Sequence, residues 1–287
     1  MPSTVLTLPS VMHQLTDRSA LNAHRRRLRR DDLFLFEEVA DDIEERLSEV
    51  NKSFTAPAVV GLVDTPISRL FPKAPVVADE PELSASRGAY DLVVHALALH
   101  WADDPVGQMV QSRLMLKPDG LFMGVTFAGQ TLHELRTALA EAEVRLRGGL
   151  SPRVVPMADL RDLGGLLQRA GFALPVADAR TITVRYKSLS ALVRDLRAMG
   201  ETNALADRAR HCPPKALFSM AEDIYRENFS DDDGHLLATF EIVFLTGWAP
   251  DESQPQPLRP GSAKARLADA LGTLEIPTGD AVPPKSR

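Results

Sequence analysis

The chain has 287 residues, of which 44% are hydrophobic and 25% charged, which is the balance of an ordinary globular protein. Its single cysteine, Cys212, excludes an internal disulfide framework and any site built from several thiolates. The net charge of −6 disfavours general nucleic-acid binding, and no apolar run reaches the roughly 18 residues that a membrane span requires.

The amino-terminal segment, residues 1–30, is strongly basic. It holds six arginines and one acid, Asp17. Poverty in acids is typical of a transit peptide, but patterned sequence follows at once and a secretory apolar core is absent. We predict a solvated basic segment leading into the domain, with a patch for an acidic partner as the alternative. The predicted location is the bacterial cytoplasm, with the mitochondrial matrix as the alternative.

Residues 31–249 alternate between helical and strand-like hydrophobic patterns. Apolar side chains at three- and four-residue steps predict helices over residues 33–50, 104–116, 131–147, 158–170, 188–199 and 215–229. Runs rich in β-branched and other apolar residues predict strands over residues 58–63, 76–78, 90–97, 121–127, 172–186 and 236–248. Residues 117–120, Lys-Pro-Asp-Gly, predict a turn. This alternation predicts an α/β fold with a mainly parallel sheet.

The carboxy-terminal segment differs from the rest. Residues 250–287 hold seven of the 21 prolines and few large apolar side chains. Such a segment cannot bury enough apolar surface to offset the entropy of ordering, so we predict a Pro-rich, partly disordered tail.

Three segments carry a resemblance to a fold family. They are residues 90–94 (Tyr-Asp-Leu-Val-Val), the pair His100 and Trp101, and residues 116–122 (Leu-Lys-Pro-Asp-Gly-Leu-Phe). In this order they resemble the fourth and fifth strands of class I S-adenosylmethionine-dependent methyltransferases. The resemblance implies a Rossmann-like sheet with its ligand at the carboxyl ends of the strands.

A second resemblance, to one particular family, covers roughly residues 20–270. The matching segments are residues 97–104, 131–136, 148–153, 162–164, 199–203, 246–248, 252–254 and 259–263. They resemble bacterial relatives of the mitochondrial complex I assembly factor that hydroxylates an arginine of a complex I subunit. Malonyl-carrier-protein methyltransferases of the biotin pathway are a sibling family. The resemblance implies S-adenosylmethionine as cofactor and a protein partner, either a respiratory-complex subunit or a carrier protein.

The segment that aligns with the family's glycine-rich cofactor loop departs from the pattern. Gly61 is retained, whereas Val59 stands in place of the acid, and Val63 and Thr65 replace the other two glycines. Because β-branched residues do not readily adopt a positive φ, we expect Val63 and Thr65 to occupy the ligand volume. This departure predicts weak or absent binding of S-adenosylmethionine.

Compared with the family pattern, one strand–helix unit is also missing before Asp79. Either Asp79 ends the family's third strand and the second strand is lost with its ribose-binding acid, or Asp79 ends the second strand and the third is lost. We therefore predict a shortened sheet, closed by an antiparallel carboxy-terminal strand over residues 236–248. The cofactor-binding candidates that remain are Gly61, Asp79 and Ala96.

The catalytic candidates are His100, Trp101 and Arg136, which follow the fourth and fifth strands of the resemblance. The alternative for His100 and Trp101 is a half-buried aromatic pair that caps the sheet. These three residues, with residues 151–153 and 200–201, form the predicted surface for a protein partner.

The histidines show no spacing typical of a metal site, so we predict none. His95, alone on an apolar strand, is predicted to be a core histidine. Cys212 stands beside two prolines without an evident base, and the Gly-x-Ser-x-Gly motif of hydrolases is absent.

The domain divides into a glycine-loop half, residues 55–127, that departs from the family pattern and a half, residues 128–249, that keeps it. This contrast favours a degenerate, weakly or non-binding family member that acts as an assembly or partner-binding factor related to complex I assembly. The alternative is an active methyltransferase, or an arginine hydroxylase of the family type, acting on a protein or carrier protein. A third hypothesis is an unrelated small-molecule enzyme on the same fold.

Overall fold

A computed structural model describes residues 14–30, 32–255 and 272–273. The chain forms two units, Met1–Asp251 and Glu252–Arg287. Every helix and strand named below lies in the first unit, and the few described residues of the second form turns and bends. Most of the predicted tail therefore lies outside the described residues. None of the described helices has the length and apolar character needed to cross a bilayer.

The first unit contains eight described helices and six described strands. The helices are α1 (Arg18–Arg25), α2 (Phe34–Glu49), α3 (Pro66–Arg69), α4 (Pro105–Met115), α5 (His133–Arg147), α6 (Leu160–Arg169), α7 (Leu189–Ala198) and α8 (Lys215–Asn228). The strands are β1 (Pro57–Val60), β2 (Val76–Val77), β3 (Tyr90–Ala96), β4 (Leu116–Phe127), β5 (Ala173–Tyr186) and β6 (Leu236–Trp248). A 3₁₀ turn covers Leu99–Trp101.

The six strands form one sheet in the order β2-β1-β3-β4-β6-β5. The first four strands of this order are parallel, whereas β6 is antiparallel to both β4 and β5. Val125 of β4 lies opposite Phe244 of β6 in this register. The predictions of a mixed α/β fold and of an antiparallel carboxy-terminal strand are confirmed.

The sheet is short at its β2 edge, as predicted. Val59 of β1 pairs on one side with Val76 of β2 and on the other with Val94 of β3. No strand lies beyond β2 among the described residues. The strand that precedes Asp79 thus holds the position next to β1, which is the position that the second of our two alternatives requires.

The predicted turn over residues 117–120 is instead part of strand β4. Ladder partners that are two residues apart on β3 are five residues apart on β4, so these residues bulge out of the ladder. Asp119 adopts a φ of +58°, and its N–H donates to the carbonyl of Ala249. Because the carbonyl group of Ala249 accepts a hydrogen bond from this backbone, the strand continues through the turn-forming residues as a bulge.

Apolar side chains cover both faces of the sheet. Along β1, Val59 faces the core beneath α2, while Ala58 and Val60 face the opposite core, because successive strand residues point to opposite sides. In the core that Ala58 and Val60 face, the rings of Phe122 and Phe172 stack with their centroids 4.7 Å apart. Burial on both faces explains why the central strands are continuously apolar.

Helix α1 packs one face into the domain, where we expected a solvated, basic first helix. Leu21 is fully buried, and Arg25 on the same face is buried as well. Asp17 caps the helix by accepting a hydrogen bond from the N–H of Ala20, and it forms an ion pair with Arg208. The amphipathic pattern of α1, not its net charge, decides its placement.

Candidate functional site

The carboxyl ends of the parallel strands form a cleft in which two of the cofactor candidates meet. Gly61, just after β1, adopts a φ of +142°. A Cβ atom there would lie 2.9 Å from the carbonyl oxygen of Ala96, at the end of β3. Only glycine accommodates both the conformation and this close approach. The structure therefore brings Gly61 and Ala96 together, as expected of a cofactor turn.

The third cofactor candidate, Asp79, forms a buried ion pair with helix α1. Its Oδ1 atom lies 2.6 Å from the Nη1 atom of Arg25, and its Oδ2 atom lies 3.3 Å from the Nη1 atom of Arg18. Arg18 also donates to the backbone carbonyl of Asp79. The side chains of Arg25 and Asp79 are only 5% and 9% exposed. Burial opposes ionisation, but the two guanidinium charges outweigh it and hold the pKa of Asp79 below its usual range.

Sequence reasoning missed Arg25 as the partner of Asp79. Arg18, Leu21 and Arg25 are separated by three and four residues, so they share one face of α1. This spacing, with a buried leucine between two arginines, is the signal that could have identified the inward-facing pair.

The cleft has a volume of about 590 Å³ and is bordered by α1, Gly61 and the residues after β2. The polar groups of this cleft do not fit the nucleoside of S-adenosylmethionine. The carboxylate of Asp79 is bonded to guanidinium groups, and Val59 supplies no acid. Glu80 is exposed and accepts a hydrogen bond from Asn22.

The two residues that replace glycines differ from our expectation. Val63 borders the cleft but is 61% exposed, so it does not fill the ligand volume. Thr65 is buried, and its side chain caps helix α3 in a reciprocal arrangement with Ser68. A threonine replaces glycine here because the chain begins a helix at this point.

The catalytic candidates His100 and Trp101 are buried and tied to one carboxylate. The Nε2 atom of His100 lies 3.0 Å from the Oε2 atom of Glu201, and the Nε1 atom of Trp101 donates to the same oxygen at 2.8 Å. Burial raises the pKa of Glu201, but the charge and hydrogen bond of His100 outweigh it and keep this pKa below its usual range. The geometry matches an aromatic pair that caps the sheet, which was our alternative.

The predicted partner surface is consequently wrong in its centre. His100, Trp101 and Gly200 are buried, and the Glu201 side chain is only 8% exposed. The buried carboxylate of Glu201 is hydrogen-bonded to His100 and Trp101, as a buried charge requires. These side chains therefore leave little exposed area for a partner.

Arg136 is separate from this pair. It is half-buried on α5, and its Nη2 atom donates to the carbonyl of Thr131 at 3.3 Å. Within the described part of the chain, no contact joins Arg136 to His100 or Trp101. The three catalytic candidates thus do not form one reacting group.

An apolar cavity of about 190 Å³ lies beside Trp101. Leu135 and Leu139 of α5 form one wall, and Leu196 of α7 forms another. Arg153 lines the cavity as well. This arrangement can hold a small apolar group next to the indole ring.

His95 is a core histidine, as predicted. Its Nε2 atom lies 3.2 Å from the Oε1 atom of Gln108, and its side chain is fully buried. Burial lowers the pKa of His95 to about 4, so the imidazole is neutral at pH 7.

The ion pair between Glu143 and Arg153 predicts an acid-dependent loss of stability. Burial raises the pKa of Glu143, but Arg153 and the two hydrogen bonds from Ser151 lower it from 4.5 to about 2. A lowered folded-state pKa gives stability that is complete above 4.5 and is lost as the pH falls towards 2. We expect a loss of about 3 kcal/mol in this window, measured by urea denaturation.

The matched control for this prediction is Glu143→Gln, which lacks the titrating group. Subtracting its pH profile from that of the wild type should isolate the contribution of Glu143. Parallel profiles between pH 5 and pH 2 would contradict the assignment.

One group of described residues has the arrangement of metal ligands. The ligand atoms of Asp231, Asp233 and His235 lie within 4.8 Å of one another. Arg185 already forms ion pairs with both carboxylates, and Asp231 Oδ1 accepts hydrogen bonds from the backbone of Asp233 and His235. These contacts account for the cluster as the support of the turn before β6.

Comparisons with known proteins place the chain in a family. The mitochondrial arginine-hydroxylase NDUFAF5 of Danio rerio is 34% identical over 270 residues, which cover 84% of each chain. The NDUFAF5 of Homo sapiens is 37% identical over 78% of this chain and 65% of the human protein. The malonyl-[acyl-carrier protein] O-methyltransferase of Laribacter hongkongensis is 36% identical over 64% of this chain and 60% of its own.

The chain also aligns with solved structures at low sequence identity. Among solved structures, the YcgJ protein of Bacillus subtilis aligns with a TM-score of 0.47 at 11% identity, over 75% of this chain and 99% of its own. No protein-family model matches the sequence. The alignments span less than two thirds of the human protein and of the Laribacter enzyme.

The fold is that of the Rossmann-like class I methyltransferases, with one edge of the sheet shortened. Within that class, the chain belongs to the family of the arginine-hydroxylase NDUFAF5, to which malonyl-[acyl-carrier protein] O-methyltransferases are related.

Proposed function

We propose that this protein is a partner-binding assembly factor related to complex I assembly, which binds S-adenosylmethionine weakly or not at all. The observation that carries the proposal is the buried ion pair of Arg25 and Asp79 in the cofactor cleft. Kinship with NDUFAF5 and with enzymes named for a carrier protein supports a protein partner, either a respiratory-complex subunit or a carrier protein.

The ion pair opposes cofactor binding for a physical reason. A ligand that used Asp79 would have to displace the guanidinium groups of Arg25 and Arg18. Leaving a buried polar group unpaired costs about 1–3 kcal/mol, a buried charge costs more, and each 1.4 kcal/mol weakens binding tenfold. Two such losses together weaken affinity by orders of magnitude.

Titration calorimetry with S-adenosylmethionine tests this proposal directly. We expect the wild-type protein to show no binding in the micromolar range. The malonyl-[acyl-carrier protein] O-methyltransferase of Laribacter hongkongensis serves as positive control under the same conditions. Micromolar affinity of the wild-type protein would contradict the proposal.

The second candidate function is an active methyltransferase or arginine hydroxylase. Kinship with the arginine-hydroxylase NDUFAF5 and with malonyl-[acyl-carrier protein] O-methyltransferases supports it. Mass spectrometry of the captured partner distinguishes the two functions. Transfer of a methyl or hydroxyl group by the purified protein would favour the enzyme.

We place the partner surface around Leu150 and Pro152, in the loop after α5. Leu150 is 66% exposed, and Pro152 is exposed beside it. Residues 151–153 of this loop belong to the predicted surface, and Leu150 directly precedes them. Unlike His100 and Trp101, this loop is open to a partner. The compartment we propose is the bacterial cytoplasm, with the mitochondrial matrix as the alternative.

Replacing Leu150 by serine should weaken capture of the partner by about tenfold, because a central apolar contact contributes about 1–2 kcal/mol. The matched control is Val176→Ser, which changes a valine that is 57% exposed on β5. Pull-down yield and melting temperature are measured together. Equal loss of capture by both variants, or none by Leu150→Ser, would argue against this surface.

A further inference from the structure

Two cavities adjoin at Arg153 and Phe218. The first is the apolar cavity beside Trp101, of about 190 Å³. The second has a volume of about 380 Å³, and we call it the basic vestibule. Both are lined by Arg153, Thr202, Asn203 and Phe218, so the two cavities are neighbours that share these four side chains.

The basic vestibule has a charge opposite to that of the whole chain. Its titratable lining residues are His24, Arg27, Arg153, Arg197, Arg208 and His211. No aspartate or glutamate is among the described residues that line it. A positive pocket on a protein with a net charge of −6 attracts anions selectively.

Two of these arginines are free to bind an anion. Arg153 is paired with Glu143, and Arg208 is paired with Asp17. Arg27 and Arg197 are exposed, and neither has an acidic partner in the described part of the chain. A guanidinium group without a carboxylate partner is a ready donor of charge-assisted hydrogen bonds to carboxylate or phosphate.

The charges of the basic vestibule also act on His24. Burial lowers the pKa of this imidazole, and the charges of Arg208 and Arg27 lower it further. Its buried Nδ1 atom has no hydrogen-bond partner among the described residues. The vestibule thus disfavours a further cation even on its own histidine.

We propose that the two cavities together bind a small anionic amphiphile, a carboxylate or phosphate group on a short alkyl chain. The head group lies in the basic vestibule at Arg27 and Arg197, and the tail lies in the apolar cavity between Trp101 and Leu135. An apolar cavity of roughly 150 Å³ holds one benzene molecule, so a cavity of about 190 Å³ accepts only a short chain. The site is separate from the Gly61 cleft and does not depend on the proposed function.

Binding is tested with octanoate and octyl phosphate on the full chain, by titration calorimetry. Acetate and inorganic phosphate test the head group alone, and octyltrimethylammonium tests the tail with the opposite charge. We expect binding of octanoate, octyl phosphate or both, and none of the three controls at equal concentration. Whichever octyl compound binds identifies the head group as a carboxylate or a phosphate. Binding should weaken as salt is raised, because the arginines are exposed.

Matched variants on α7 locate the head group. Arg197→Gln should lower affinity about fivefold, the effect of losing a partly exposed charge pair. Arg194→Gln removes an exposed charge one helical turn away that does not line the vestibule, and it should leave affinity unchanged.

Two variants test the tail. Leu135→Phe fills the apolar cavity from α5, and Val193→Phe narrows it from α7, so one remains informative if the other does not fold. Each folded variant should lose binding by at least tenfold. The proposal is overturned if neither octyl compound binds the wild type, if octyltrimethylammonium binds equally well, or if Arg197→Gln and a folded cavity variant bind like the wild type.

Discussion

Replacing Asp79 by alanine should lower the free energy of unfolding by about 3–5 kcal/mol. The reason is that Arg25, whose side chain is 5% exposed, would be left as a buried charge without its closest partner. Two further nitrogens of its guanidinium group, Nε and Nη2, already lack hydrogen-bond partners among the described residues. The variant therefore removes the main contact that compensates this charge. Urea denaturation measures the effect.

Two controls separate the ion pair from general effects. Arg26→Ala removes an exposed arginine next to Arg25, and it should change stability by less than about 0.5 kcal/mol. The double variant Asp79→Ala with Arg25→Met removes both charges, so it should recover most of the loss. An Asp79→Ala protein as stable as Arg26→Ala would show that the ion pair does not hold α1 in the cleft.

The ion pair of Arg25 and Asp79 also predicts how the free energy of unfolding changes with pH. The pKa of Asp79 lies below its ordinary value of 3.8 in the folded protein. The stability that the pair contributes is therefore complete above pH 3.8 and is lost as the pH falls through the lowered pKa. Asp79→Ala should abolish this part of the acid transition.

Glu201→Ala is the second substitution with a large expected effect. Glu201 is the shared partner of the His100 and Trp101 side chains, and its removal leaves both ring nitrogens buried without a partner. Each unsatisfied buried group costs about 1–3 kcal/mol, so we expect a loss of about 2–6 kcal/mol in the free energy of unfolding.

Glu201→Gln is the matched control, because its amide oxygen still accepts a hydrogen bond while the negative charge is removed. It should cost less than Glu201→Ala. If both variants unfold at the wild-type urea concentration, the carboxylate is not what fixes His100 and Trp101 beneath the surface.

The sequence predicts the succession of elements well because hydrophobic periodicity reports burial locally. The helix predicted over residues 33–50 is α2, and the strand predicted over residues 236–248 is β6. The bulge at residues 117–120 could not be predicted, because its backbone is satisfied by Ala249, which is distant in sequence. Local turn chemistry cannot reveal such a partner.

The placement of the candidate residues was predicted only in part, for a similar reason. The resemblance indicated Gly61 and Ala96 as cofactor candidates, and the parallel sheet brings these two strand ends together. The burial of His100 and Trp101 depends on Glu201, about 100 residues later in the chain. No pattern within either segment encodes this pairing, so a buried pair was mistaken for an exposed one.

The position of β6 has a consequence for synthesis of the chain. Among the described strands this one emerges last, yet it lies between β4 and β5 and pairs with both along most of their length. Until residue 248 has left the ribosome, β4 presents an open hydrogen-bonding edge and β5 has no place in the sheet. Nascent chains that stop before residue 236 are therefore expected to need chaperone protection against edge-to-edge aggregation, and premature stop codons there should yield insoluble protein.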